Sequence, residues 1–216
     1  MPLEFFDAHR DVRNLFISPE MRNRIMRVEP GQTTTGHTHD LGHEAFVVLD
    51  GQAEFTIDGQ AATLGPGQVC IARAGQWHTV RCVGDSPMTM YLSVTPHIEP
   101  THTLWDREGG TQLPYRYGES TRAEREAPTG TGAAEPPQQL LARYVAASAA
   151  LADAAQANAV AQKTAAAQLQ AALEHGDSAA VHDAVDAMWR SFRATYASLQ
   201  TLEQVWNRVA PLAAPG

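Results

Sequence analysis

Between Gly31 and Gly51 the chain reads GQTTTGHTHDLGHEAFVVLDG. His37 and His39 are separated by one residue. On a strand, side chains alternate between faces, so both imidazoles point the same way, roughly 6–7 Å apart along the backbone. Both can reach one ion at about 2.0–2.2 Å, and Glu44 can supply an oxygen from the next strand. A fourth ligand must come from elsewhere, and His78 in GQVCIARAGQWH is the candidate. Three neutral imidazoles and one carboxylate leave a divalent ion with net positive charge. An octahedral ion keeps two positions open for water or ligand. Such a site can bind a bidentate oxygen ligand, bind dioxygen if the metal is iron, or act as a Lewis acid. His43 is one residue before Glu44 and so faces the opposite side of the strand.

The spacing G-x5-HxH-x4-E-x6-G is carried by Gly31, His37, His39, Glu44 and Gly51, and a later G-x7-G-xx-H block by Gly67, Gly75 and His78. Together they resemble the cupin superfamily over roughly residues 22–95. The resemblance implies a small antiparallel β-barrel of jelly-roll type holding a metal with three His and one Glu. Two positions depart from the family pattern: Arg73 replaces its usual proline and Cys82 its usual asparagine. Neither is a ligand in that pattern, so the implied metal set stands while transfer of a particular substrate is weakened. The expected cofactor is one divalent ion per subunit: iron, manganese, nickel, cobalt, copper or zinc.

The surrounding residues suit such a fold. Ala53, Phe55 and Ile57 alternate with Glu54, Thr56 and Asp58, and Asp58-Gly59 then makes a hairpin turn into Gln60–Leu64. Gly65-Pro66-Gly67 turns the chain into a strand over 68–72. Residues 77–83 alternate so that His78, Val80 and Cys82 share a face. Strands are also predicted over 88–95, 22–28 and 31–39. About eight short strands suit a small barrel. The expected interior beside the metal is apolar: Phe46, Val48, Phe55, Ile57, Val80, Cys82 and Met90 are pocket candidates. No Lys/Arg cluster for a phosphate is evident, which counts against a sugar-phosphate isomerase and favours a small uncharged or aromatic oxygen-bearing ligand. Arg24 and Arg73 are the basic residues expected near the barrel, their facing unknown. No Ser-His-Asp or Cys-His set is evident. His97-x-Glu99-xx-His102 is a further cluster, but Pro96 and Pro100 make it an irregular loop, read as covering the barrel mouth rather than as a second metal site.

The chain has 216 residues, 44% hydrophobic, with a net charge of −8. That charge argues against nucleic acid, which needs a basic footprint. Residues 1–4 show no basic segment leading into an apolar run, and no stretch is long and apolar enough to span a membrane, so a cytoplasmic protein is expected. Two cysteines are too few for a disulfide framework. Cys70 and Cys82 read as small buried hydrophobes.

Composition shifts after Tyr117. Residues 118–138 are rich in Glu, Thr, Gly and Pro and read as a linker between a domain over 1–117 and a helical hairpin over 139–216. From Leu140 the chain is alanine-rich, with no glycine before Gly176. This predicts one helix from about Pro137 to His175 and a second, capped by Asp177 or Ser178, to about Val209. The second carries Val181, Val185, Met188, Trp189, Phe192, Tyr196, Leu199, Leu202, Trp206 and Val209, one apolar stripe at helical spacing. Large residues on this helix against alanine on the first would allow close approach, and a second subunit could complete a four-helix bundle. The fold class expected is therefore α+β. Three functions are open: a metal-dependent oxygenase- or isomerase-type enzyme, a non-catalytic sensor of a small ligand, or a helical interaction protein on a barrel scaffold. Residues with metal, small molecule and homodimer as partners are implied; nucleic acid and membrane are not.

Overall fold

The structure is a computed structural model describing residues 3–106, 110–123 and 135–214. The chain divides into two compact units, Met1–Gly130 with Ala210–Gly216, and Thr131–Val209.

The first unit holds ten strands: β1 (Asn14–Ile17), β2 (Arg22–Val28), β3 (His37–Thr38), β4 (His43–Asp50), β5 (Gln52–Ile57), β6 (Gln60–Leu64), β7 (Val69–Ala72), β8 (His78–Val83), β9 (Met88–Thr95) and β10 (Thr103–Leu104). They make two antiparallel five-stranded sheets, ordered β1-β2-β9-β4-β7 and β10-β3-β8-β5-β6. Among the described residues no strand pair joins the sheets. The architecture seen is therefore two facing sheets, and the closure of the expected barrel is not.

Alternation decides what lies between the sheets. Across β2, β9 and β4 the register aligns Arg22, Val94 and Glu44 in one row, Arg24, Leu92 and Phe46 in the next, and Met26, Met90 and Val48 in a third. In the other sheet Ile57 pairs with His78, Phe55 with Val80 and Ala53 with Cys82. The inward face thus runs from polar rows at one end to apolar rows at the other. Val48, Met88 and Ala53 are fully buried, and Phe46 meets Phe55 across the sheets at 5.2 Å. The β5–β6 turn is Asp58-Gly59, both with positive φ (46° and 79°), as the Asp-Gly dipeptide demands.

One predicted strand is much shorter than expected. Of residues 31–39, only His37–Thr38 is strand. Upstream, the Thr34 hydroxyl accepts the Val80 N–H at 2.9 Å, so a side chain takes a place in the ladder. Gly36 lies beneath the Trp77 indole, and any Cβ there would overlap the ring. β1 and β10 were not predicted: each has too few residues to show alternation.

The second unit is two helices, α1 (Pro137–His175) and α2 (Ser178–Val209). Pro137 stands in the first turn of α1, and Gly176 ends it in the left-handed region (φ 67°). The Asp177 carboxylate accepts the N–H groups of Ala179 and Ala180, an N-cap. Asn158 meets Ser191 and Ala154 meets Thr195, so the helices run antiparallel. No helix among the described residues is long and apolar enough to cross a membrane.

The expected packing of this hairpin is corrected. Trp189, Phe192 and Tyr196 do not lie on α1. They are 57%, 54% and 50% exposed and stack along their own helix. The face of α2 that meets α1 at mid-length is polar. Ser191 donates to Asn158 at 2.8 Å, and Gln162 donates to the Met188 carbonyl at 2.8 Å. Apolar contact concentrates at one end, where Leu140, Ala147 and Val205 are buried with Tyr144, Leu202 and Val209 around them.

Candidate metal centre

β3 sets His37 opposite His78 of β8, their rings 4.4 Å apart. β4 brings Glu44 in from the facing sheet. His39 stands just beyond β3, held where its carbonyl accepts the Gly75 N–H at 2.8 Å. Nε2 of His39 and of His78 lie 2.9 and 3.0 Å from Oε2 of Glu44, and Nε2 of His37 lies 3.8 Å from the same oxygen. One ligand atom from each of the four residues falls within 4.8 Å of the others. His39, Glu44 and His78 are buried.

The other nitrogen of each ring explains the aim. His37 Nδ1 donates to the Thr35 carbonyl at 2.8 Å, His78 Nδ1 to the Gln76 carbonyl at 2.9 Å, and His39 Nδ1 to the Thr101 carbonyl. A carbonyl cannot donate, so in a neutral ring Nδ1 carries the hydrogen and Nε2 offers a lone pair. Three lone pairs then face one carboxylate oxygen in a buried place, which calls for a cation or protons between them. Nε2 of His37 is buried with no hydrogen-bond partner. Imidazole nitrogen with carboxylate oxygen suits a divalent first-row transition metal, and backbone carbonyls holding the far nitrogens are the usual orienting shell. Burial opposes ionisation of Glu44, yet contact with the three imidazoles outweighs it and holds the carboxyl well below the usual range. Burial lowers the His37 pKa against the pull of Glu44, favouring the neutral ring a metal requires.

Comparison with known proteins agrees with the ligand spacing. The family model described as a cupin domain matches residues 24–95. Those residues form a cupin domain. No curated protein matches the chain. Among solved structures, an uncharacterised conserved protein with a double-stranded β-helix domain from Klebsiella pneumoniae is 24% identical, covers 44% of this chain and 91% of its own, with a TM-score of 0.42. The TT1209 protein of Thermus thermophilus is 25% identical over 44% and 98% of the two chains, with a TM-score of 0.41. A cupin 2 conserved barrel domain protein from Leptotrichia buccalis is 24% identical over 38% and 39%, with a TM-score of 0.37. The likeness covers less than half of this chain.

Within the cupin domain the apolar residues expected beside the metal are mostly core. Phe46, Val48, Phe55, Val80, Cys82 and Met90 pack into the closed core, 2% exposed or less, with Ile57 against them. The space that reaches the cluster lies at the polar end. It is a cavity of about 640 Å³ touching His37 and His102, with Arg13, Arg22, Arg24, Arg116 and Arg122 on its walls. Five arginines from three stretches of sequence meet there, where sequence reading saw no basic cluster. For Arg22 and Arg24 the signal was alternation: they share one face of a predicted strand with Met26 and Val28, so arginines continue the face that carries the core.

The 97–102 loop divides. The His102 ring packs 4.5 Å from that of His37 and 5.0 Å from that of His39. Burial first, then the charges of His37, His39 and Arg22, hold its pKa well below the usual value. His97 and Glu99 turn elsewhere. Glu99 accepts the Gly118 N–H at 2.8 Å, and His97 Nε2 meets the Thr101 hydroxyl at 3.1 Å. Gly118 and Ser120, at the start of the expected linker, are thereby tied to this loop. Residues 124–134 of that linker lie outside the described residues. His43 is exposed and accepts the Ala74 N–H at 2.9 Å through Nδ1, on the face away from Glu44.

Proposed function

We propose that the cupin domain binds one divalent transition-metal ion through His37, His39, Glu44 and His78. There it acts as a metal-dependent enzyme of oxygenase or isomerase type on a small oxygen-bearing molecule. The convergence of three Nε2 atoms on the buried Glu44 carboxylate, at the wall of a cavity of about 640 Å³, carries this reading. That volume is the size of a small-molecule site. A divalent ion there would supply Lewis acidity and open coordination positions. The chain's own part is to fix three lone pairs through the carbonyls of Thr35, Thr101 and Gln76, and to keep Glu44 ionised. Elemental analysis of purified protein should find about one transition metal per chain. The His37→Ala/His39→Ala double variant should retain almost none, and full occupancy in that variant would overturn the proposal.

A second reading concerns the hairpin. We propose that Trp189, Phe192 and Tyr196 pair the chain with a second copy as a homodimer. The observation in its favour is that α2 meets α1 through a polar seam and leaves its aromatic side uncovered. Large apolar patches of this kind are characteristic of interaction surfaces.

A further inference from the structure

The walls of the cavity at the metal centre carry more positive charge than composition accounts for. The chain is acidic overall, with 16 Lys and Arg against 24 Asp and Glu, yet five of those cations line one cavity. Among the described residues on its wall there is one acidic side chain, Glu119, and it pairs with Arg116 at 3.4 Å. Arg13 has its own partner in Asp11 at 3.5 Å.

Arg22 and Arg24 belong to the sheet that carries Glu44. Both sit on the inward face of β2, in the same rows as Glu44 and Phe46. Arg22 is only 2% exposed, and its Nη1 donates to the Ser120 carbonyl at 3.5 Å. Arg24 Nε is buried with no hydrogen-bond partner. A guanidinium N–H taken out of water calls for an acceptor, because its desolvation costs free energy unless an anion faces it. A guanidinium presents a planar fork that matches carboxylate and phosphate oxygens in pairs. From Arg22 to Glu44 the sheet spans two strand spacings, about 10 Å. His37 of the cluster lines the same cavity as Arg22 and Arg24.

We propose that the cavity binds a small oxyanion, a carboxylate or phosphate ester, with Arg22 and Arg24 gripping the anionic group while another oxygen of the same molecule reaches the His/Glu cluster. This rests on the metal reading only for the second of those contacts. It replaces the uncharged or aromatic ligand expected from the sequence.

The test uses the full chain as purified, titrated calorimetrically with succinate, with inorganic phosphate, and with the neutral isostere succinamide. Metal content is measured on the same samples. Succinate or phosphate should bind at least tenfold more tightly than succinamide. Arg24→Gln should weaken anion binding at least tenfold while leaving metal content at the wild-type level. Arg27→Gln, outward on the same strand and paired with Glu29 at 3.2 Å, should change neither. Equal binding of succinate and succinamide, no binding of either anion, or undiminished anion binding in Arg24→Gln would each overturn the proposal. If Arg24→Gln does not fold, the wild-type comparison of succinate with succinamide decides alone. Metal-free protein that binds succinate through Arg24 would sink the metal reading and keep this one. Metal-loaded protein indifferent to both anions would do the reverse.

Discussion

The cupin domain and the helical hairpin solve the problem of burial in opposite ways. In the cupin domain, two sheets press their apolar rows together, and eleven residues from both sheets form one core. Most of its strands are held by partners distant in sequence, β2 and β4 by β9 and β3 by β8. In the hairpin, neighbours in sequence supply the hydrogen bonds, and little is buried between the helices beyond Leu140, Ala147, Val205 and small alanines. Trp189, Phe192 and Tyr196 face outward. Positioning four ligands from three segments takes a stiff, non-local scaffold. A surface meant to meet something outside the chain asks only for a regular helix with its apolar side left uncovered.

The sharpest test of that contrast is one large-to-small change in each unit. Phe46 is 2% exposed and touches both Phe55 and His78. Phe46→Ala should destabilise the cupin domain by about 3–5 kcal/mol. Trp189→Ala, at a half-exposed position, should cost the isolated chain well under that, about 1 kcal/mol or less. Thermal unfolding at low protein concentration, followed separately by metal release and by helical signal, checks both. Equal losses would show that α2's aromatic side is buried in solution within one chain.

The next test asks whether that side has a partner. Full-length protein should sediment as a dimer, and the triple variant Trp189→Ala/Phe192→Ala/Tyr196→Ala as a monomer with unchanged metal content. Burying each aromatic is worth roughly 2–3 kcal/mol, so losing three at once should weaken association by a hundredfold or more. A triple variant that remains a tight dimer would move the interface to the sheets.

Legibility differed between the two units for related reasons. The bounds of β2, β6 and β9 and of both helices could be read from the sequence, because alternation, Asp-Gly, Pro137 and Gly176 are local signals. So could the cluster of His37, His39, Glu44 and His78, whose spacing is itself local in two short blocks. What was not legible depended on juxtaposition. Arg22 and Arg24 meet Arg116 and Arg122 only because Ser120 and Gly118 fold back onto the 97–102 loop. The same fold-back leaves His102 at the cluster while His97 turns away. On α2 the stripe was plain, but its direction was not. Asn158 and Gln162 of α1 choose Ser191 and the Met188 carbonyl, and that choice turns the aromatics outward.

A smaller effect follows from buried histidine. His97 is 1% exposed, and burial, with the charge of Arg22 adding to it, lowers its pKa to about 4. His37 and His102 shift in the same direction. Each is neutral in the folded chain where the unfolded chain takes up a proton below about pH 6.5. The full stability is therefore present above pH 6.5 and declines as pH falls toward 4, by on the order of 2 kcal/mol for His97 alone. Urea unfolding of the metal-free protein at a series of pH values should show this slope, and His97→Gln should flatten part of it.

The smallest expected change separates two adjacent residues. His43 and Glu44 are consecutive on β4, and alternation sends them to opposite faces. Glu44 is 3% exposed beneath three imidazoles, whereas His43 is exposed and its Nδ1 accepts the Ala74 N–H. That bond tethers the turn before Gly75, whose N–H in turn holds the His39 carbonyl. Its loss should loosen the turn by about 1 kcal/mol or less, since water can replace the acceptor at an exposed site. His43→Ala should therefore leave metal content near the wild-type value, while Glu44→Ala should empty the site. A loss in His43→Ala as deep as that in Glu44→Ala would mean that β4 is displaced by one residue, which on a strand exchanges the two faces.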